Sequence, residues 1–174
     1  MSFAETHNWY VLTSKPREEQ RAFDNLCQQG YDCFLPKISK LKKRNQVKTV
    51  SLEPLFPNYL FIYLDKDTAN FNAIRSTRGV GSFVKFGIAP AIIDSFLINK
   101  IKADIEREDT DKTVAELENY TQGEKVEITT GPFKGLDGIY QNKDGLERSI
   151  LLIKMLGQQN EIKIENQAIE KVAL

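Results

Sequence analysis

Apolar and polar positions divide the chain into short segments of two periods, and the clearest of them is YLFIYL, Tyr59 to Leu64. Read as a strand, it points Tyr59, Phe61 and Tyr63 to one side and Leu60, Ile62 and Leu64 to the other. Neither face is polar, so the strand needs cover on both. The aliphatic face suits the domain's own helices, whereas aromatics with hydroxyl tips are typical of interfaces. A central strand covered on both sides by this chain alone fits the pattern equally well.

The other segments fall in place around it. Asn8 to Thr13 (NWYVLT) reads as a first strand. A helix follows, with Ser14 as cap, Pro16 in the first turn and Gly30 as its end; it gathers Ala22, Phe23, Leu26 and Cys27 on one face. Its polar side carries Lys15, Arg17, Arg21, Asn25, Gln28 and Gln29, a set that suits nucleic acid or plain solvent. Tyr31 to Ser39 predicts a second strand with Pro36 near its end or at a bulge. LKKRNQVK predicts a basic hairpin tip, where Lys42, Lys43, Arg44 and Lys48 would attract phosphates without reading sequence. Val47 to Ser51 should pair back. Thr68 to Ser76 predicts a short helix with Phe71 and Ile74 inward, Ser82 to Phe86 another strand, and Asp94 caps a helix to about Arg107 with Leu97, Ile98, Ile101 and Ile105 at helical spacing. That order implies an α+β fold, helices packed on a mostly antiparallel sheet.

Beyond Glu106 the sequence turns acidic and poor in apolar residues (EREDTDKTVAELE), as a linker does. Residues 122–174 hold six of the ten glycines, and alternation in Lys125 to Thr130 and Glu161 to Ile164, with turns at GPFKG and NKDG, predicts a small β-barrel. SILLIKML, 149 to 156, breaks that pattern. Leu146, Ile150 and Ile153, with Leu152 and Leu156, also form a helical stripe, so this run reads both ways.

Charge adds one contrast and several exclusions. The formal net charge is zero, yet residues 1–98 carry 13 Lys/Arg against 9 Asp/Glu, while residues 99–121 carry 4 against 7. Cys27 and Cys33 are too few for a disulfide framework and read as core thiols. The single histidine, His7, is expected in a loose N-terminus, so triads and histidine metal sites have nothing to stand on, and an enzyme is the disfavoured class. No signal peptide and no apolar run near the ~20 residues of a membrane helix is present. A cytoplasmic protein is expected.

Four groups, in order, then carry a family resemblance: Trp9-Tyr10-Val11; Phe56-Pro57-Asn58-Tyr59; Phe83-Val84-Lys85-Phe86-Gly87 with Pro90; and Gly131-Pro132-Phe133-Lys134-Gly135 with Gly138. Together they resemble the NusG family of transcription elongation factors over almost the whole chain. General members usually show Phe-Pro-Gly-Tyr in the central strand, whereas EPLFPNYLF is similar to the specialised RfaH branch. The resemblance implies an NGN-type α/β sandwich at 1–105, a flexible linker at 106–121 and a KOW-type domain at 122–174. In the free chain that last domain would be an α-helical hairpin over the polymerase-binding face, and once released a five-stranded β-barrel able to recruit a ribosomal small-subunit protein. The implied function is operon-specific antitermination: binding RNA polymerase paused at an ops element, suppressing pausing and termination, and coupling transcription to translation.

Carried over by position, the resemblance places Phe56, Tyr59, Phe61, Phe86 and Ile98 on the clamp helices of the polymerase β′ subunit. It places Lys15, Arg21, Asn25, Gln29, Thr77 and Arg78 on the non-template DNA strand, with Asn25 where the branch can have histidine. Asn70, Phe71, Asn72 and Ala73 stand where a His-Thr-Thr-Thr segment can face the β gate loop. Glu53 and Arg148 would pair between domains, beside Ile150, Ile153 and Leu156. No catalytic residue, cofactor or metal is implied. Two rivals remain: a general NusG-like factor with an always-β tail, and a ribosome-associated KOW protein that binds RNA, which calls for a more basic tail than 122–174 provides.

Overall fold

The computed structural model describes residues 6–115 and 136–172. Strand β1 (His7–Ser14) is central, pairing antiparallel along one edge with β5 (Tyr59–Asp65), from His7 opposite Asp65 to Thr13 opposite Tyr59. Its other edge takes β6 (Val80–Phe83) near Ser14 and β9 (Ile92–Ile93) near Trp9. β2 (Asp32–Phe34) extends the sheet beyond β5, giving the order β2-β5-β1-β6.

Strand periodicity separates two cores. Trp9, Val11 and Phe61 enter one; Tyr10, Leu12, Leu60, Ile62 and Leu64 enter the other. The second is closed by α1 (Glu19–Gln28) and α2 (Phe71–Arg75) through Ala22, Leu26 and Ile74. The first is closed by α3 (Ser95–Ala115), which supplies Leu97, Ile98 and Ile101, and by α4 (Leu136–Gln141) and α5 (Gly145–Val172). Both faces of β5 are therefore covered by this chain.

Several boundaries differ from the sequence reading. α1 begins at Glu19, since Arg17 takes φ 62° and the Ser14 hydroxyl donates to the Lys15 carbonyl instead of capping a helix. Tyr31 to Ser39 is no single strand: it splits around Pro36, which has no amide N–H to pair. β2 stays in the main sheet, while β3 (Lys37–Arg44) and β4 (Val47–Pro54) form a separate hairpin. Asn45 and Gln46 turn it with φ of 50° and 64°, the double positive φ of a tight hairpin loop. The Ser82 to Phe86 strand is also divided, because β7 (Lys85–Phe86) leaves β6 to pair with β8 (Ala89–Pro90).

α3 is capped as read, with Asp94 Oδ1 accepting the Phe96 N–H at 2.8 Å, but runs on to Ala115 through sequence expected to be linker. Glu161 to Ile164 is helical within α5, in a stretch of good helix formers, and not a strand. The turn at NKDG joins α4 to α5 rather than two strands. Lys125 to Thr130 and the Gly131–Gly135 motif lie outside the described residues.

His7 is the first residue of β1, its ring 5.4 Å from that of Tyr63, so it is not in a loose terminus. The cysteines are not both core thiols either. Cys27 is exposed, because it falls on the outer side of the last α1 turn, and Cys33 is half-buried, its thiol pushed well up by desolvation and then by neighbouring Cys27 and Asp32.

Candidate functional site

The aromatic side of the sheet depends on one turn. Between β4 and β5, the Tyr59 N–H donates to the Phe56 carbonyl at 3.0 Å, and Asn58 between them has φ 70°. Proline in second place and a left-handed residue in third make a type II turn, which accepts glycine or asparagine there. This turn is strapped to its neighbours on both sides: the Asn58 N–H donates to Glu19 Oε1 at 2.9 Å and the Asn58 carbonyl accepts from the Ser14 N–H at 2.8 Å. Phe56 is thereby thrown inward, edge-on to Phe61 at 6.1 Å, with Phe34 stacked on Phe61 at 6.1 Å.

Phe56, Phe61 and Ile98 are fully buried and Tyr59 and Phe86 pack on them, so the five residues assigned to the polymerase face form one apolar surface. Its cover is Leu136 and Ile139 of α4 with Leu152, Met155 and Leu156 of α5. Close approach fixes the fit. A Cβ on Gly145 would stand 2.6 Å from Pro57 Cγ, and one on Gly157 would stand 3.4 Å from the Phe86 ring. Ser149 Oγ donates to the Pro57 carbonyl at 3.0 Å.

Arg148 is the polar centre of this seam and is 1% exposed. Its Nε donates to the Leu55 carbonyl at 2.8 Å and an Nη to the Asn142 carbonyl at 2.9 Å. The pairing with Glu53 is present but longer, 3.4 Å, and Glu53 is shared with Lys40 at 3.5 Å. Carbonyl oxygens, more than the carboxylate, satisfy the buried guanidinium.

The seam is not built from all the residues assigned to it. Leu156 is buried and Ile153 half-buried, but Ile150 is 48% exposed and Leu146 62%. The inward stripe is Arg148, Leu152, Met155 and Leu156, spaced i, i+4, i+7, i+8. Sequence reading missed Leu55, Leu136, Ile139 and Met155; the i+7 position of Met155 was the available signal.

A second, polar cluster lies at the far end of α1. Asn25 Nδ2 donates to the Arg78 carbonyl at 3.0 Å and Gln29 Nε2 to Thr77 Oγ1 at 3.0 Å, while the Lys15 N–H donates to the Gly79 carbonyl. Five of the six residues assigned to DNA are thus tied through the 77–79 loop. Gly79 has φ 91°, and a Cβ there would sit 2.7 Å from the Ala22 nitrogen, so the loop lies directly on α1. Arg21 is exposed and pairs with Glu18 at 3.0 Å. The basic hairpin tip is exposed throughout, with Lys43 opposite Lys48.

At the 70–73 segment, Asn70 caps α2 by accepting the Ala73 N–H at 3.0 Å. Asn72 and Ala73 are exposed, whereas Phe71 turns inward against the Tyr10 and Phe83 rings. Among the described residues there is no metal-type cluster of His, Cys, Asp or Glu, and no helix is long and apolar enough to cross a membrane.

Comparison with known proteins supplies the family. Residues 7–102 match the family described as "Transcription termination factor nusG". The chain is 25% identical to the transcription termination/antitermination protein NusG of Campylobacter jejuni over 177 residues, covering 96% of this chain and 98% of that one. It is 25% identical to the NusG of Helicobacter pylori, covering 95% and 98%. A solved structure described as "Domain interaction in Thermotoga maritima NusG" aligns with TM-score 0.40 and 21% identity over 74% of this chain and 75% of that one. With more than half of its length, and the whole main sheet, inside the family match, the chain belongs to the NusG family of transcription factors.

Proposed function

We propose that this chain is a transcription elongation factor that binds RNA polymerase through Phe56, Tyr59, Phe61, Phe86 and Ile98, and that α4 and α5 gate this face in the free chain. The observation that carries the reading is the burial of that surface under Leu136, Ile139, Leu152, Met155 and Leu156. A polymerase helix and the C-terminal helices cannot occupy it together. Binding then requires release, and a factor that must first be released acts where something favours release.

In the operon-specific, RfaH-like form of this reading, that something is an ops non-template strand held by Lys15, Arg21, Asn25, Gln29, Thr77 and Arg78. The lysine would position phosphates, and amide and guanidinium groups would read exposed base edges. The 70–73 segment would meet the β gate loop through Asn72 and Ala73. The released C-terminal segment would become a KOW barrel and engage a ribosomal small-subunit protein.

A second reading is a general NusG-type factor that needs no DNA signal. The relatives' names and their near-complete coverage of the chain support it at least as well. Binding to elongation complexes with and without ops DNA separates the two. The gated reading expects intact chain to bind ops complexes selectively and Arg148→Ala, which removes the buried donor of the seam, to gain binding to complexes lacking ops. Equal binding of intact chain to both complexes leaves the general reading.

A further inference from the structure

The gated seam leaves a cavity that the apolar packing does not use. It lies between the β3–β4 hairpin and the α4–α5 turn, holds about 410 Å³, and is open to solvent on one side. Ligand sites in proteins commonly span about 300–1,000 Å³, so it is of metabolite size. Ile38, Leu41, Leu55 and Tyr140 give it apolar walls, and Leu41, 61% exposed, forms a lip at its edge.

Its charge is unbalanced. Lys40, Lys143 and Arg148 line it against one carboxylate, Glu53. Glu53 serves both Lys40 and Arg148, at 3.5 and 3.4 Å, longer than a close ion-pair hydrogen bond of about 2.7–2.9 Å. The acidic groups next in sequence are turned to other work: Asp144 Oδ1 accepts the Leu146 N–H and Glu147 Oε2 accepts from Asn142 Nδ2. Neither lines the cavity. Solvent-facing lysines on two opposed walls, above an apolar floor, suit a ligand with an anionic end and a flat ring.

We propose that this cavity binds a small phosphorylated aromatic molecule, of the nucleoside monophosphate class. Lys40 and Lys143 hold the phosphate from the two walls, and the base lies against Ile38, Leu41 and the Tyr140 ring. Because one wall belongs to residues 38–55 and the other to 140–148, the ligand binds only the covered arrangement and stabilises it by mass action. The inference rests on the gated reading and supplies it with a small-molecule control that acts on the seam directly.

The test is a titration of the intact chain with AMP, GMP, CMP and UMP, followed by backbone NMR, with inorganic phosphate and adenosine as controls. Saturable shifts at Leu41, Tyr140 and Lys143 with the monophosphates, and not with either control, are expected. Lys40→Gln and Lys143→Gln, both at exposed positions, should each weaken binding about tenfold. Helical shifts for 136–158 without any saturable response overturn the ligand site and leave the gate standing. Non-helical shifts for 136–158 overturn both, since one wall of the site is then missing.

Discussion

The two faces of the sheet are closed in different ways. On one, α1 and α2 lie within a few tens of residues of the strands they cover, Ala22, Leu26 and Ile74 meet Leu12, Leu60 and Ile62, and the buried carboxylate of α1, Glu19, stays at the first turn, where it accepts the Asn58 N–H. On the other, α4 and α5 arrive from the far end of the chain and bring Arg148 into the seam. An apolar core built from neighbouring segments has no separate state in which only one layer leaves. For a layer attached through a distant segment and a buried guanidinium, such a state costs less, because removal returns the charge to water and offsets part of the lost apolar contact. In the function proposed above, the same strand, β5, has a permanent side and a removable one.

Substitutions on the two sides should separate in kind as well as in size. Leu26→Ala, on the permanent face, should cost about 2–5 kcal/mol and lower the denaturant midpoint of the whole N-terminal unit as one transition. Arg148→Ala leaves the Leu55 and Asn142 carbonyls without their donor and should cost about 3 kcal/mol, all of it on the seam. Helical NMR shifts of 136–158 should be lost while the sheet's resonances stay in place. Gly145→Ala forces a methyl against Pro57 and should weaken the seam by about 1–3 kcal/mol, read from faster hydrogen exchange in the first turns of α5. Glu53→Gln should have the smallest effect, under about 1 kcal/mol, since the carboxylate is partly exposed and its contacts are long. If Glu53→Gln released the helices as fully as Arg148→Ala, the seam would rest on the ion pair and not on the carbonyls.

The permanent face was legible in the sequence and the removable one only in part. Period-two alternation at Tyr59 to Leu64 and the spacing of Ala22 with Leu26 are local signals, and both survive in the fold. The aromatic side of β5 asked for cover without naming it, because α4 and α5, which complete the cover, begin more than 70 residues further along the chain. The run 149 to 156 announced its ambiguity, yet its inward stripe includes Arg148, a residue that hydropathy alone assigns to solvent, and excludes Ile150. Burial of that arginine depends on the Leu55 and Asn142 carbonyls, which no local pattern reveals. The start of α1 was misplaced for a similar reason. The Ser14 N–H is held by the Asn58 carbonyl, a contact between distant segments, and the chain turns at Arg17 before the helix begins.

The central claim is that the aromatic face is covered by removable helices. Backbone chemical shifts of residues 136–158 test it most directly, taken on the intact chain and again after cleavage at a protease site introduced between residues 116 and 135. Helical shifts in the intact chain, with the Phe61 ring and the Ile98 methyl groups newly reached by a soluble paramagnetic probe after cleavage and separation, are the expected result. Strand-like shifts in the intact chain, or Phe61 and Ile98 side chains equally shielded from the probe before and after, would contradict the account and leave a face that was never gated.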